Sequence, residues 1–347
     1  MKVGVVGLGA IGSLFFNRVL HHINPKNVAR SKADRANQVY ALVKDSQVPH
    51  LKKVAILDQL RHPILEVPTD VSPNADAFRT DFDQEGRSLD VLLVTVKSTD
   101  TYEVAARLKA GSAISKHSLL ISLQNGLGNV KILKDVLETD NVLHGVTYMG
   151  GVSVSPGTVI QGGDGMTTIQ NAEHLSDSVQ DTLGRFCQLL AASGIQTQLV
   201  PSNDLQSVVW TKLMVNAGIN PLGAILNVPN KRVVAGADNL AVVEAIVNEA
   251  AAVAKAQGIS LILNNATPLE FTVAAAEATG ANFCSMCLDI QRHKPTEIGS
   301  INDMIVYYGQ QAGVPTPHNA FLTSIVKALE RSKTNTPMSS STGQSIS

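Results

Sequence analysis

The order of apolar and polar positions divides the chain into two regions of different character. Up to about residue 200, short apolar runs alternate with longer stretches in which apolar residues recur at helical spacing. Unbroken apolar runs are typical of parallel strands that are covered on both faces. The alternation therefore predicts a doubly wound α/β sheet. The predicted strands are residues 3–6, 39–43, 90–96, 119–123 and 141–146, and the predicted helices are residues 13–20, 101–108, 130–137 and 176–193.

Other stretches of the first region carry weaker patterns. Residues 24–37 are polar and include a proline, which predicts a long surface loop. Residues 46–88 are hard to assign, because 54–60 fits a strand or a helix and prolines interrupt the residues after it. Residues 152–159 and 166–169, punctuated by Pro-Gly and Gly-Gly pairs, predict antiparallel strands at the end of the region.

After Pro201 the strand patterns give way to helical ones. Residues 332–347 are rich in Ser and Thr and predict a disordered tail. A chain of 347 residues also exceeds the ~250–300 residues that one hydrophobic core organises. We therefore expect an α/β domain over residues 1–200, an all-helical domain over 201–331, and the tail. The predicted helices are residues 204–226, 240–257, 268–278, 297–311 and 319–331.

Composition narrows the class of protein. Hydrophobic residues make up 44% of the chain and charged residues 16%, which is typical of a well-packed globular protein. The formal net charge of -1 leaves no basic excess for nucleic acid or an anionic membrane surface. Three cysteines are too few for a disulfide framework, and no apolar run reaches the ~20 residues of a membrane span. A soluble, cytoplasmic protein is expected.

A glycine motif comes directly after the first predicted strand. Gly7, Gly9 and Gly12 have the G-x-G-x-x-G spacing, placed between a strand and a helix as the dinucleotide-binding motif of Rossmann-type sheets requires. The glycines permit a tight turn, close approach of a pyrophosphate and close packing of helix on strand. The alternative is a merely structural turn. The motif predicts that the cofactor binds at Gly7, Leu8, Gly9, Ala10, Ile11 and Gly12.

The residues after the second strand bear on the choice between NAD and NADP. A carboxylate there accepts from a ribose hydroxyl, whereas a cation meets a 2′-phosphate. Lys44 stands at this point and is followed by Asp45. The preceding loop adds Arg30, Lys32 and Arg35, which are equally well explained as a solvated charged loop. The pattern favours NADP, with Lys44 as a cofactor-binding residue.

Polar residues also end two later strands. Lys97 comes directly after residues 90–96, and Asn125 stands two positions after residues 119–123. Open α/β sheets bind ligands at the carboxyl ends of their strands, so both residues are candidates for contact with the cofactor, and Asn125 also with the substrate. The alternatives are a lysine that ends a strand in solvent and an Asn-Gly turn.

Three polar side chains share one stripe of the helix predicted over residues 204–226. Lys212, Asn216 and Asn220 are spaced four apart among apolar neighbours. An amine beside two amides can donate a proton and hydrogen bonds to a bound ligand, so Lys212 is a candidate general acid and the two amides would orient a substrate. Burial would lower the pKa of the lysine. The alternative is that the amides make contacts between helices and Lys212 extends to solvent. Pro221 should kink or end the helix.

Six short stretches of the chain occur in a fixed order. The ordered set identifies a protein family more specifically than any single stretch does. The stretches are GLGAIG (7–12), LLVTVK (92–97), NGLG (125–128), WTKLMVN (210–216) with INPL (219–222), SM (285–286) with DI (289–290), and TEI (296–298) with IN (301–302). In this combination the chain resembles the ketopantoate reductase family, from Gly7 to about Leu329. Gly299 and Asp303 depart from the family pattern, which has Asp and Gly at these positions.

The resemblance implies further site residues. It implies that Asn230 and Ser285 contact the substrate, that Glu297 contacts the nicotinamide side of the cofactor, and that Gly151 lines the cofactor. Glu297 also fits a first-turn carboxylate on a helix, which needs no ligand. Cys284 and Cys287 form a C-x-x-C, but a zinc site needs four ligands and only His293 lies nearby in sequence, so no metal is expected.

The resemblance implies NADPH-dependent reduction of 2-dehydropantoate to pantoate, a step of pantothenate biosynthesis. A reductase for another branched or aromatic 2-oxo acid, of the mandelate type, is the nearest alternative. A protein that binds NADP(H) without turnover is a third, although retention of Lys212, Asn216, Asn220 and Glu297 speaks against it. The expected partner is thus a small 2-oxo acid, and a homodimer through the helical domain would be an ordinary assembly.

Overall fold

The computed structural model describes residues 1–23, 37–43, 53–68, 88–111, 113–155 and 157–334. The chain forms two compact units, Met1–Val209 and Trp210–Ser347. The boundary lies inside a helix, Ser202–Leu226, that begins just after the predicted domain boundary at residue 200.

The first unit contains strands and helices in alternation. They are, in chain order, β1 (Lys2–Val6), α1 (Ala10–Ile23), β2 (Gln38–Leu42), β3 (Lys53–Leu57), β4 (Pro63–Pro68), β5 (Val91–Val94), α2 (Thr101–Ala110), β6 (Leu119–Ser122), α3 (Asn129–Leu137), β7 (Val142–Thr147), β8 (Gly150–Ser155), β9 (Thr158–Gly163), β10 (Thr167–Asn171), α4 (Asp177–Ala192) and β11 (Thr197–Pro201). The strands predicted from unbroken apolar runs are all confirmed.

Seven of these strands form the main sheet, in the order β11-β10-β7-β6-β5-β1-β2. All neighbouring pairs are parallel except β10 with β7. Successive residues of the central strands enter different cores: Val5 and Leu93 pack in one cluster with α1 and α4 residues, and Val6 and Val94 in another with α2 and α3 residues. The sheet is therefore covered on both faces, as the sequence predicted.

A second sheet has four strands, in the order β4-β3-β9-β8, and packs against α1. Residues 54–60, which fit a strand or a helix by sequence, begin as strand β3, because this segment pairs with both β4 and β9. The stretch 152–159 is not one strand: the chain turns at Gly157, and β8 and β9 form an antiparallel pair. The next strand along the chain, β10, joins the main sheet instead.

Helices dominate from Ser202 onward. They are α5 (Ser202–Leu226), α6 (Asn230–Val233), α7 (Ala237–Ala256), α8 (Pro268–Ala278), α9 (Ser285–Gln291), α10 (Asn302–Ala312) and α11 (Pro317–Thr334). No helix in the described ranges is long and apolar enough to cross a membrane.

Two expectations for this region need correction, and a third is narrowed. Of the two outcomes expected at Pro221, a kink or an end of the helix, the end is wrong, because α5 continues to Leu226. Residues 297–311 are not one helix: a 3-10 helix, Ile298–Ser300, comes first, and Ile301 (φ −107°, ψ −91°) separates it from α10. Residues 332–334, expected in the tail, complete α11, whereas 335–347 lie outside the described residues.

Candidate active site

The glycine turn after β1 is closed by backbone contacts. Gly7 has φ 89°, and its N–H donates to the Leu42 carbonyl at 3.1 Å. A Cβ on Gly7 would lie 3.0 Å from the Val96 backbone, and one on Gly12 would overlap the Gly7 carbonyl oxygen. A Cβ on Gly9 would meet no heavy atom within 4 Å. Two glycines therefore permit the turn to close, and the third faces open space that a ligand can enter.

Thr95, the residue directly after β5, contacts this turn from the neighbouring segment. Its hydroxyl is within hydrogen-bond distance of the Val6 carbonyl, at 2.9 Å, and of the Gly7 carbonyl, at 2.7 Å. Sequence reasoning missed this residue, because a threonine next to an apolar run carries no distinctive pattern.

The N-terminus of α1 comes directly after the turn and suits an anion. Ala10 and Ile11 are partly buried, whereas Leu8 is buried in the core and offers only its backbone. The first turn of α1 contains no acidic residue. Unpaired N–H groups at a helix N-terminus attract phosphate, so the geometry fits the pyrophosphate of a dinucleotide. Lys44, the residue predicted to meet a 2′-phosphate, lies outside the described residues.

The carboxyl ends of β1, β5 and β6 lie side by side. Val6 pairs with Val94, and Val94 pairs with Ser122, so the segments after these three strands leave the same edge of the sheet. Strands β2 and β5 flank β1 on opposite sides, which makes this edge a topological switch point, where doubly wound sheets bind ligands. Lys97 and Asn125, both partly buried, stand in these segments as predicted.

A buried network ties these two segments together. Gln124 donates from Nε2 to the Val96 carbonyl at 3.1 Å and to the Thr101 hydroxyl at 2.7 Å. The Thr101 hydroxyl donates in turn to Asn129, whose amide nitrogen donates to the Asn125 carbonyl at 3.0 Å. The network fixes the backbone on both sides of Asn125. The hydrogen bonds between the segments after β5 and β6 join residues that are at least 23 positions apart in the chain. Sequence spacing therefore did not reveal them.

Gly151 lies on β8, in the second sheet. A Cβ there would lie 2.9 Å from the Ile160 carbonyl and 3.4 Å from Leu14 of α1. Close packing of β8 on β9 is therefore sufficient to explain a glycine at this position. Contact of Gly151 with the cofactor stays a prediction.

In the second unit, Lys212 lies on α5 with Asn216 and Asn220 one and two turns further along. Lys212 is partly buried, and burial lowers the pKa of its ammonium group to about 8, although the nearby Glu297 carboxylate acts in the opposite direction. Glu297 is only 5% exposed. The second unit therefore contains a lysine whose pKa lies close to neutral pH, together with a buried carboxylate.

The position of Glu297 differs from the alternative drawn from the sequence. It does not lie in the first turn of an α-helix, but directly precedes the 3-10 helix, and its carbonyl accepts from Ser300 and Ile301. Its electrostatic contact with Lys212 is a feature that the sequence spacing of 85 residues did not reveal.

Cys284 connects two of the predicted substrate residues. Its Sγ donates to the Asn220 carbonyl at 3.4 Å and accepts from the Cys287 N–H at 3.3 Å, which caps α9. Ser285, the first residue of α9, is thereby held next to the α5 turn that carries Asn220, and Ser285 is exposed. Burial raises the pKa of the Cys284 thiol to about 12, so it stays protonated. Among the described residues, no group of three or more His, Cys, Asp or Glu is placed to hold a metal ion.

Asn230 begins α6 and is buried. Its Nδ2 donates to the Thr279 hydroxyl at 2.9 Å, and its N–H donates to the Asn282 carbonyl at 2.9 Å. Its Oδ1 is buried without a hydrogen-bond partner within the described part of the chain. The amide is thus held by its nitrogen and leaves an acceptor available.

Comparison with known proteins gives a consistent result. Residues 3–174 match the family profile described as Ketopantoate reductase PanE/ApbA, and residues 204–330 match that of Ketopantoate reductase PanE/ApbA C terminal. The 2-dehydropantoate 2-reductase of Archaeoglobus fulgidus is 30% identical over 335 residues, covering 95% of this chain and 98% of the relative.

Solved structures agree in fold. The PanE/ApbA family ketopantoate reductase from Ralstonia eutropha JMP134 is 26% identical with a TM-score of 0.78, over 96% of this chain and 100% of that one. D-mandelate dehydrogenase, solved with NADH and anilino(oxo)acetate, is 24% identical with a TM-score of 0.77, over 96% and 100% of the two chains, and shares the fold. With both family profiles matched and a full-length relative at 30% identity, this chain belongs to the ketopantoate reductase family.

Proposed function

We propose that the protein reduces 2-dehydropantoate to pantoate with NADPH. The observation that carries the proposal is the stripe on α5, where a partly buried Lys212 with a pKa lowered to about 8 precedes two amides on the same helix face. A proton donor works best when its pKa is close to the working pH. Lys212 would donate its proton to the carbonyl oxygen of the substrate as that carbon is reduced.

The amides and hydroxyl of the second unit would bind the rest of the 2-oxo acid. Asn216, Asn220 and Ser285 supply N–H and O–H donors suited to the carboxylate and the developing alkoxide. Asn230 presents a buried oxygen without a partner among the described residues, which would accept from a substrate hydroxyl. Pantoate and its precursor carry such a hydroxyl, so this acceptor supports the proposed substrate.

The glycine turn of the first unit supports the nucleotide part of the proposal. The open space at Gly9 and the N-terminus of α1 would receive the pyrophosphate, with Gly7, Leu8, Ala10, Ile11 and Gly12 forming the turn. Lys97, Asn125, Gly151 and Glu297 would bind the remainder, and Lys44 would select NADPH over NADH. When bound, the nicotinamide supplies the hydride.

The likeness to D-mandelate dehydrogenase supports a second candidate, reduction of an aromatic 2-oxo acid. The two candidates share the groups that hold the 2-oxo acid and differ in the tail of the substrate. They are therefore separated by substrate choice, and not by the loss of Lys212.

The test is oxidation of NADPH or NADH with 2-dehydropantoate or benzoylformate, measured by absorbance. We expect fastest turnover with 2-dehydropantoate and NADPH, and a loss of about 100-fold to 10,000-fold in kcat for Lys212→Ala, as is usual for removal of a general acid. Lys255→Ala removes an exposed lysine of α7 and should turn over like the wild type.

Each other outcome has a defined meaning. Turnover with benzoylformate alone would assign the mandelate-type reaction. An undiminished kcat in Lys212→Ala would refute the role of the lysine. Tight NADPH binding without turnover of either 2-oxo acid would favour the sensor alternative.

A further inference from the structure

Pro221 interrupts the hydrogen bonding of α5 next to the predicted substrate residues. In an α-helix, the N–H of each residue donates to the carbonyl four residues earlier. Pro221 lies inside α5 and has no N–H, so the carbonyl of Ala217 lacks its usual donor. Ala217 is fully buried, and a buried carbonyl that loses its hydrogen bond is costly. The turn between Asn216 and Asn220 therefore needs a donor from elsewhere.

Asn302 supplies a donor at this point. Its Nδ2 donates to the Ala217 carbonyl at 3.2 Å, across 85 residues of sequence. Asn302 is the first residue of α10 and is fully buried. A side chain of another helix thus bonds the carbonyl that proline leaves without its helical N–H.

The orientation of the Asn302 amide is determined by its neighbours. Asn319 donates from Nδ2 to Glu249 Oε2 at 2.7 Å and to the Ile246 carbonyl at 3.2 Å, and both of these groups only accept. The Oδ1 of Asn319 must therefore face Asn302, from whose Nδ2 it accepts at 3.0 Å. Asn302 consequently presents its nitrogen, and not its oxygen, to Ala217.

Glu249 is the final acceptor in this series of hydrogen bonds. It also accepts from the backbone N–H groups of His318, at 2.9 Å, and Asn319, at 3.0 Å. Burial raises the pKa of Glu249, but these bonds from Asn319 and His318 outweigh burial and lower it overall. The carboxylate is therefore ionised near neutral pH and can only accept.

The unpaired oxygen of Asn302 indicates that packing alone does not explain an asparagine at this position. Its Oδ1 is buried without a hydrogen-bond partner among the residues that the structure describes. An unpaired buried oxygen destabilises the fold, and a leucine of similar size would avoid that cost. The two bonds made by Nδ2 are what asparagine adds at this position.

We propose that Asn302 is a positioning residue for the reaction. By donating to Ala217 in place of Pro221, it holds the turn of α5 between Asn216 and Asn220, and so sets both amides relative to Lys212. The role in turnover rests on the proposed function, whereas the dependence on Pro221 is a property of the fold.

A double-mutant cycle tests the inference: Asn302→Leu, Pro221→Ala, and both together. Pro221→Ala restores a backbone N–H to Ala217, so it should make Asn302 less important. With Pro221 present, Asn302→Leu should lower kcat about tenfold and the unfolding midpoint by about 3–6 °C, while NADPH affinity is kept. In the Pro221→Ala background, the same change should reduce kcat less than about threefold.

Two further variants sharpen the test. Asn302→Asp keeps the shape but turns an oxygen toward Ala217, so it should lower kcat more than Asn302→Leu does. Thr182→Val is the matched control, because Thr182 is buried and its hydroxyl donates to the Ser178 carbonyl within α4 of the first unit. It should leave kcat unchanged. If Asn302→Leu does not fold, Asn302→Ser takes its place in the cycle.

Three results would overturn all or part of the inference. A lower unfolding midpoint with unchanged kcat would leave Asn302 a purely structural role. An effect of Asn302→Leu that is equally large with Ala at position 221 would show that Asn302 does not substitute for the missing N–H. A wild type without turnover would refute the proposed function and the positioning role together, while the unfolding midpoints would still measure the dependence on Pro221.

Discussion

At the scale of single residues, the proposed chemistry depends on the environment of Lys212. A lysine in water is almost fully protonated at neutral pH and gives up its proton poorly. Partial burial on α5 lowers its pKa to about 8, and the Glu297 carboxylate limits the decrease. The residue is therefore mostly protonated at pH 7 and still acidic enough to donate.

This pKa predicts the pH dependence of the reaction. Reduction needs the protonated amine, so kcat/KM for reduction should be constant at lower pH and should fall as pH rises through about 8. Oxidation of the hydroxy acid needs the neutral amine, so its rate should rise over the same range. Rates in both directions between pH 6 and 10 measure this, and a profile without an inflection near 8 would contradict it.

Glu297 provides a second prediction at this scale. Its negative charge raises the pKa of Lys212, so Glu297→Gln should lower that pKa further. The fall in kcat/KM for reduction should move to lower pH than in the wild type. Asp303→Asn, which removes a half-exposed carboxylate paired with Lys327, is the matched control and should not move the profile. An unmoved profile in Glu297→Gln would argue that the carboxylate does not act on the lysine.

At the scale of elements, short local interruptions of regular structure lie next to the residues proposed to bind ligands. The turn between β1 and α1 closes only because Gly7 and Gly12 lack a Cβ, while Gly9 leaves space for a ligand. Pro221 breaks the internal bonding of α5, and α10 provides the replacement donor through Asn302. Each interruption is held by a polar side chain from a distant part of the chain, Thr95 in the first case and Asn302 in the second.

The glycine turn predicts opposite effects for two alanine substitutions. Gly9→Ala should leave the unfolding midpoint of the free protein unchanged, because its Cβ would meet nothing within 4 Å, yet it should weaken NADPH binding by filling the ligand's space. Gly12→Ala should lower both, because its Cβ would overlap the Gly7 carbonyl oxygen. Calorimetric unfolding and fluorescence titration measure the two quantities. Tight NADPH binding by Gly9→Ala would place the pyrophosphate elsewhere.

At the scale of the whole molecule, the two units contain the residues for different parts of the proposed function. The first, Met1–Val209, contains the glycine turn, and the second, from Trp210 onward, contains Lys212 and Glu297. Each has its own core, so heating should produce two overlapping unfolding transitions.

Ligand binding should separate these transitions. A ligand at 100 times its Kd stabilises the unit that binds it by about 2.7 kcal/mol, which corresponds to about 5–10 °C for a unit of this size. NADPH should therefore raise the transition of the first unit most, and Gly12→Ala should abolish that shift. Differential scanning calorimetry with and without NADPH measures the effect, and an equal shift of both transitions would show that the units unfold together.

Local patterns were sufficient for most of the fold. The central strands were predicted because parallel strands covered on both faces consist of unbroken apolar residues, and β1, β5, β6 and β7 are buried throughout except at Lys2. The glycine motif and the stripe on α5 were predicted because each depends on spacing within a few residues. The family resemblance, confirmed by both profiles, rests on such short stretches taken in order.

Elements that depend on distant partners were missed. Strand β11 is largely exposed and shows no apolar run, and it is a strand because it pairs with β10. Strand β3 was ambiguous until its pairing with β4 and β9 was known. The short helices α6 and α9 were also missed, since α9 depends on a cap from Cys284 more than on periodicity.

The features of the candidate site also fall into two groups, those that local sequence determines and those that tertiary structure determines. The sequence determines which residues stand together on α5 and in the glycine turn. Helical spacing and the missing side chain of glycine both act locally. The pKa of Lys212, the bond from Asn302 to Ala217 and the network around Gln124 were decided by tertiary structure. Burial and hydrogen bonding join residues far apart in the chain, and only packing brings these groups within reach of one another.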